Sequence, residues 1–156
     1  MKLRSLSHLA AMILLSSLLQ ACSPLIAAYD VEAYKAATSL KAETDIVLSH
    51  ATEDFAGRAA EVEALQIKLQ AAREYAAGLP LNGNSARQWE IMLDPNGGLA
   101  GETLLMWRDK GTLKPFVVAE QRKQIAEGFD YIICLEANKD KNTKCGSQAI
   151  AAATGE

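Results

Sequence analysis

Few residues of this chain could carry chemistry. It holds three cysteines and two histidines. Cys22 follows an apolar run near the N-terminus, Cys134 and Cys145 lie close to the C-terminus, and His50 is the histidine in the body of the chain. A thiol can act as a nucleophile, form a disulfide or bind a metal, and an imidazole can act as a base or a ligand. The kinds of chemistry that the sequence allows therefore depend mainly on these four residues.

The residues before Cys22 have the pattern of a secretory signal. Lys2 and Arg4 precede a run of about eleven mostly apolar residues at 9–19. This run is shorter than the roughly 20 residues that a helix needs to span a bilayer. A basic start, a short apolar run and small residues at the end are typical of a signal peptide that is removed.

The end of this segment, Leu19-Gln20-Ala21-Cys22, resembles the bacterial lipobox, in which Leu, a variable residue and a small residue precede a Cys. The resemblance implies that the Cys22 sulfur receives diacylglycerol, that the chain is cut after Ala21, and that the new amino group is acylated. Gln20 stands where Ala, Ser or Val is more common. The alternative is an ordinary signal peptide with an incidental Cys.

Lipidation would set the location of the protein. Two or more acyl chains hold a protein stably on a membrane, whereas a single chain binds only marginally. In enteric-type lipoproteins, an Asp directly after the lipidated Cys keeps the protein from the outer membrane. Residue 23 is Ser, so the resemblance implies a location at the outer membrane, facing the periplasm. The expected partner is thus a membrane, reached through the lipid on Cys22.

The charge of the body argues against nucleic acid as a partner. Loss of Lys2 and Arg4 with the signal lowers the basic count from 16 to 14, against 19 acidic residues, so the net charge becomes about −5. A protein that binds nucleic acid would need a basic face.

The two remaining cysteines favour a disulfide. An exported protein meets an oxidising compartment, so we expect Cys134 to pair with Cys145. Closing so short a loop contributes about 3 kcal/mol in loop-entropy models. Two free thiols or a metal pair are the alternatives. With His50 as the one histidine of the mature chain and no CxxC motif, we expect neither a metal site nor a cofactor.

The pattern of apolar residues predicts an all-α domain, a small helical bundle, at 31–139. It would follow a lipidated tether at 22–30 and precede a disulfide-tied turn and frayed tail at 140–156. Asp30 is the predicted N-cap of a first helix that breaks near Phe55 and Gly57. A second helix at 58–77 would end at Gly78 and form a long antiparallel hairpin with the first.

The segment that follows is rich in glycine and carries turn signals at 82–85, 94–98, Gly101 and Gly111. It holds two short apolar pieces. The piece at 88–93 fits a short helix capped by Ser85 or a short strand, and the piece at 102–107 fits a helix of about two turns. Pro115 then begins a third long helix that ends near Asn138. We expect the short helices to cover one end of the bundle.

The sequence contains none of the common catalytic motifs. The chain lacks GxSxG, GxGxxG, a P-loop and HExxH, so no catalytic residue is predicted. His50 lies near the end of the first helix, where an imidazolium would interact favourably with the helix dipole. Trp89, Met92 and Trp107 fit two interpretations, a simple core and a surface that binds a partner or ligand.

Three classes of function remain open. The first is a non-enzymatic interaction protein of the cell envelope, with an envelope protein as its partner. The second is a carrier that holds a small apolar ligand in an enclosed pocket. The third, a hydrolytic enzyme, requires titratable groups to converge on His50. The stretches 39–43 and 88–95 resemble small helical proteobacterial lipoproteins, and this resemblance implies no activity.

Overall fold

The computed structural model describes residues 26–139, and all regular structure in this range is helical. The predicted all-α class is therefore confirmed. The predicted signal peptide and the tail at 140–156 lie outside the described residues. The described elements are α1 (Val31–Ser49), a short 3₁₀ helix (Phe55–Gly57), α2 (Ala59–Gly78), α3 (Gly83–Leu93), α4 (Ala100–Lys110) and α5 (Pro115–Ala137).

Helices α1 and α2 form the predicted antiparallel hairpin. The hydroxyl of Tyr75, near the end of α2, donates to Asp30 at the start of α1 over 3.0 Å. Lys68 and Glu43 form an ion pair between the middles of the two helices. Asp30 is the predicted N-cap, since its Oδ1 accepts from the backbone N–H groups of Glu32 and Ala33, each at 2.9 Å.

Helix α5 runs antiparallel to α1 on its other side. Lys41 pairs with Asp130, and Arg122 donates two parallel hydrogen bonds to the carboxylate of Asp45, at 2.7 and 2.8 Å. A planar guanidinium matches a carboxylate in this two-point geometry, so the pair fixes the register of the two helices. Pro115 occupies the first turn of α5, as predicted, and the helix ends next to Asn138.

The sequence led us to expect both short helices at one end of the bundle. Helix α3 is instead the fourth helix of the bundle itself. It packs against both α2 and α5. Its Trp89 ring meets Phe129 of α5 edge to face, with the ring centroids 5.9 Å apart. Only α4 covers an end. Ser85, the predicted cap of α3, is instead buried within the first turn, and Asn82 holds the N-cap position.

Helix α1 ends at Ser49, six residues before Phe55, because the following segment bonds to a distant part of the chain. Leu113 N–H donates to the Ala51 carbonyl at 2.8 Å, and Phe55 N–H donates to the Gly111 carbonyl at 2.7 Å. The indole N–H of Trp107 donates to the Glu53 carbonyl at 3.0 Å. These bonds replace the helical bonds that a continued α1 would make.

Apolar residues recur at three- and four-residue steps along 58–77 and along the helix that begins at Pro115, which predicts one buried stripe on α2 and one on α5. Every member of the α2 stripe is buried, and so are most members of the α5 stripe, namely Val62, Leu65, Leu69, Ala72 and Ala76 in α2 and Val118, Ile125, Phe129 and Ile132 in α5. Each fully buried large apolar side chain contributes about 1.5–3 kcal/mol through the hydrophobic effect.

Gly101 lies in the first turn of α4 rather than in a turn between elements. A Cβ added there would overlap the carbonyl oxygen of Leu93 and stand 2.8 Å from that of Asp94. The missing side chain thus lets the start of α4 approach the end of α3 closely.

We therefore expect Gly101→Ala to lower the free energy of unfolding by about 1–3 kcal/mol, because the backbone of Leu93 and Asp94 must shift. Gly78→Ala is the matched control, since no atom lies within 4 Å of a Cβ at that position. The control should change stability by less than about 1 kcal/mol, in the stabilising direction. Urea denaturation followed by circular dichroism measures both. Equal midpoints for the two variants would contradict the close approach.

Candidate functional site

The two tryptophans and Met92 do not form a surface. Trp89 is 3% exposed, Met92 1% and Trp107 0%. Trp89 packs on Phe129, and Trp107 meets Phe55 edge to face with ring centroids 5.6 Å apart. Of the two interpretations that the sequence left open, the structure supports the core. A partner or ligand cannot reach these three side chains without opening the bundle.

His50 takes part in a charged network at the end of the bundle where α1 stops. Its Nδ1 lies 2.9 Å from Glu53 Oε1 and 3.1 Å from Arg58 Nη2. Arg58 in turn donates to Glu53 Oε2 at 2.8 Å and to Glu61 Oε2 at 3.1 Å. Within residues 26–139, the described hydrogen bonds of the His50 ring are to a carboxylate and a guanidinium, and none joins it to the hydroxyl of a Ser–His pair or the thiol of a Cys–His pair.

The electrostatics of this network are those of a surface ion cluster. The hydrogen bond from His50, and after it the one from Arg58, lowers the pKa of Glu53, and the partnership with Glu53 raises the pKa of Arg58. About half of the Glu53 side chain is exposed to solvent, and exposed ion pairs contribute little to stability. The network keeps Glu53 charged and orders the connection between α1 and α2.

A surface groove runs between α1 and α2. It has a volume of about 390 Å³ and is lined by small or apolar side chains together with Glu32, Glu43 and Lys68. The other clefts described for residues 26–139 have volumes of about 190–330 Å³. All of these clefts open to solvent. The enclosed apolar pocket that a carrier requires is not among them.

The tether is fastened to the domain at the opposite end of the bundle. The backbone N–H of Ala27 donates to the Leu81 carbonyl at 3.0 Å. Ile26–Asp30 and Leu79–Leu81 together line an open cleft of about 330 Å³. Three residues further on, Asp30 caps α1 and accepts a hydrogen bond from Tyr75. The chain that leads to Cys22 therefore leaves from a defined point beside the α2–α3 turn.

Leu81 is in the left-handed region, with φ of 58°, and is the one described non-glycine residue with a positive φ. A side chain in this conformation costs about 1–2 kcal/mol. Pro80 precedes Leu81, and the following Asn82 is buried and donates from Nδ2 to the Ala76 carbonyl at 2.8 Å. The sequence suggested Gly78 as the closing residue of α2, but Gly78 ends the helix without a left-handed conformation.

Four large apolar or aromatic side chains remain exposed around this point, and we call them the tether-end patch: Tyr29 (43%), Val31 (46%), Tyr75 (43%) and Leu81 (55%). Tyr29 and Val31 flank Asp30, the residue that Tyr75 bonds, and Leu81 bonds Ala27. The sequence gives no local signal for this patch, because its members come from three separate parts of the chain.

The end of α5 holds the remaining candidate residues. Cys134 is half-buried and disulfide-bonded, but Cys145 and Cys22 lie outside the described residues, so the predicted Cys134–Cys145 pairing stays a prediction. One turn later, Glu136 Oε2 and Lys139 Nζ lie 2.5 Å apart, with side chains 1% and 0% exposed. The sequence pattern placed neither residue in the core. A charge buried this deeply needs its counter-charge, and here each supplies it to the other.

Because the backbone of Leu81 is strained, we expect glycine at this position to give a more stable protein than alanine. Leu81→Gly should unfold at a higher urea concentration than Leu81→Ala, by about 1 kcal/mol in free energy, because glycine adopts positive φ freely and alanine keeps the strain. In an ordinary position the order is reversed, since alanine loses less conformational entropy than glycine. Equal or reversed midpoints would show that Leu81 is not strained. The control is Ala77→Gly compared with the wild type, in the last turn of α2, where glycine should be the less stable of the two.

Asp30 predicts an acid-sensitive contribution to stability. The hydrogen bond from the Ala33 N–H is the main cause that lowers the pKa of Asp30 below 3.8, with help from the Tyr75 hydroxyl. A carboxylate whose pKa is lower in the folded state stabilises the fold above its unfolded pKa and loses this contribution as the pH falls through the folded value.

Asp30→Asn keeps a capping side chain but cannot titrate. We therefore expect wild type to exceed Asp30→Asn in stability at neutral pH, and this difference to shrink below about pH 3.8. Urea midpoints measured at several pH values for both proteins test this, since all other carboxylates titrate in both. A difference that does not change with pH would contradict the role of the Asp30 charge.

Of the helices in residues 26–139, none combines the length and the hydropathy that crossing a bilayer requires. Within the same range, no group of three or more His, Cys, Asp and Glu side chains is placed to bind a metal ion. No family model matches the chain, and the comparisons with curated proteins and with solved structures give no match.

Proposed function

We propose that this chain is a lipid-anchored protein of the cell envelope that holds a helical bundle at a membrane surface and acts there as a non-enzymatic interaction protein. The observation that carries the proposal is the Leu19-Gln20-Ala21-Cys22 motif behind a signal-like segment. The attachment of Ala27 to Leu81 supports it, because the bundle is then joined to the anchor by a short stretch of chain.

The interaction role is favoured over catalysis by what surrounds His50. Its described partners, Glu53 and Arg58, satisfy one another on the surface. The groove between α1 and α2 offers a surface that combines apolar and charged side chains, a combination common where proteins contact one another. The carrier alternative has less support, since the described clefts are open grooves.

The rest of the proposal follows from the mature sequence. Ser23 after the lipidated Cys22 favours the outer membrane, with the domain in the periplasm. A disulfide between Cys134 and Cys145 belongs to the same proposal, because the periplasm is oxidising. It would tie the segment after α5 back to that helix, next to the buried pair of Glu136 and Lys139.

Replacing Cys22 tests the anchor. Cys22→Ser should move the protein out of the membrane fraction, or leave it as an uncleaved precursor, and should abolish incorporation of a labelled fatty acid, because a hydroxyl does not replace the thiol in thioether formation. Cys134→Ser is the control and should keep both label and membrane location. A Cys22→Ser protein that still carries the label would overturn the proposal.

Crosslinking in cells that produce the wild type or Cys22→Ser tests the interaction with a partner protein. Crosslinking of intact cells should give a discrete adduct with another envelope protein for the wild type, and this adduct should disappear for Cys22→Ser. Recovery of a labelled wild-type protein that forms no adduct, or only adducts with itself, would argue against a partner protein while leaving the anchor intact.

A further inference from the structure

The chain between the proposed lipid and the bundle is short. Cys22 and Ala27 are five residues apart, and five residues span at most about 18 Å when fully extended. The backbone N–H of Ala27 is bonded to the Leu81 carbonyl, so Ala27 is part of the bundle. The distance from Cys22 to the bundle therefore has the same upper limit. A lipid on Cys22 therefore keeps the tether end of the bundle close to the headgroups.

The surface brought there is suited to that layer. The tether-end patch presents two tyrosines, a valine and a leucine, each more than 40% exposed. Tyrosine is enriched at membrane–water interfaces because its ring is apolar and its hydroxyl is polar. Leu81 is 55% exposed and holds a left-handed backbone conformation at the α2–α3 turn.

The charges near the patch compensate one another. Glu32 pairs with Lys35 at 3.1 Å, and Arg73 pairs with Glu74 at 3.0 Å. Asp30 accepts hydrogen bonds from Tyr75 and from two backbone N–H groups. The described residues show no cluster of unpaired Lys and Arg at this end, which is the feature that binds anionic lipid. Because the pairs of Glu32 with Lys35 and of Arg73 with Glu74 carry no net charge, they match a zwitterionic headgroup layer.

We propose that the tether-end patch contacts the headgroup layer of a zwitterionic bilayer, so that the bundle stands end-on with α1 directed away from the membrane. This proposal rests on the lipid anchor at Cys22. Because α1 has 19 residues, its far end would lie about 28 Å further from the membrane than Asp30. That end carries the network of His50, Glu53 and Arg58, which would face the periplasm.

The test places a tryptophan at chosen depths in the full, lipidated chain. Leu81→Trp and Val31→Trp report on the patch, Phe116→Trp reports on the opposite end, and Ile67→Trp lies on α2 about 12 Å from Tyr75. Phe116 and Ile67 are 70% and 64% exposed, so both accept a large side chain. The native Trp89 and Trp107 are buried and supply a constant background.

Each protein is reconstituted in phosphatidylcholine and phosphatidylethanolamine vesicles with or without brominated acyl chains, which quench nearby indoles. We expect the fluorescence added by Leu81→Trp and Val31→Trp to fall in the brominated vesicles, because a tryptophan in the interface lies next to the acyl chains, and that of Phe116→Trp to stay unchanged. Ile67→Trp should be quenched much less than Leu81→Trp. Circular dichroism checks that each variant is folded, and the two patch reporters guard against failure of either one.

The outcomes separate this inference from the anchor. If the variants float with the vesicles and neither patch reporter is quenched, the patch does not touch lipid, although the anchor stands. Equal quenching at Ile67 and Leu81 would overturn the end-on orientation in favour of a bundle lying on its side. If the proteins fail to associate with the vesicles at all, the anchor fails, and the contact that depends on it fails too.

Discussion

The bundle depends on the burial of Trp89 and Met92 of α3 between α2 and α5. The two side chains fill the space that α2 and α5 would otherwise have to close by direct contact. Phe129 supplies the ring against which Trp89 packs, and Gly128 beside it leaves room for Met92, whose Cε would lie 2.8 Å from a Cβ added there. Large side chains on α3 and a missing one on α5 thus complement each other.

The two ends of the bundle differ in chemistry. At one end, α1 stops and the chain is tied by backbone bonds to the α4–α5 connection, with His50, Glu53 and Arg58 on the surface. At the other end, the tether meets the α2–α3 turn, and the tether-end patch lies beside the paired charges of Glu32 with Lys35 and Arg73 with Glu74. The proposed lipid on Cys22 would hold the tether end at the membrane and leave the His50 end facing away from it.

Polar groups stabilise the tether end in several ways. Asp30 joins the start of α1 to Tyr75, and the buried Asn82 bonds the last turn of α2. The pair of Glu136 and Lys139 lies out of contact with water. Removing one member of such a pair is costly, because the other charge is left buried alone. Several polar contacts therefore hold the point where the tether joins the bundle.

The sequence by itself determined the helices, because their signals are local. Asp30 as an N-cap, the stripe from Val62 to Ala76 and Pro115 at the start of α5 each depend on residues a few positions apart, and each prediction is confirmed. The lipid anchor is likewise a local motif, and it stays a prediction.

Tertiary structure decided where α1 ends, where α3 lies and which surface is exposed. The end of α1 depends on bonds to Gly111 and Leu113, some sixty residues away in the chain. The choice between core and surface for Trp89 and Trp107 depended on whether other helices supplied Phe129 and Phe55. The tether-end patch is formed by three segments of the chain. The periodicity within one helix does not show which other segments pack beside it.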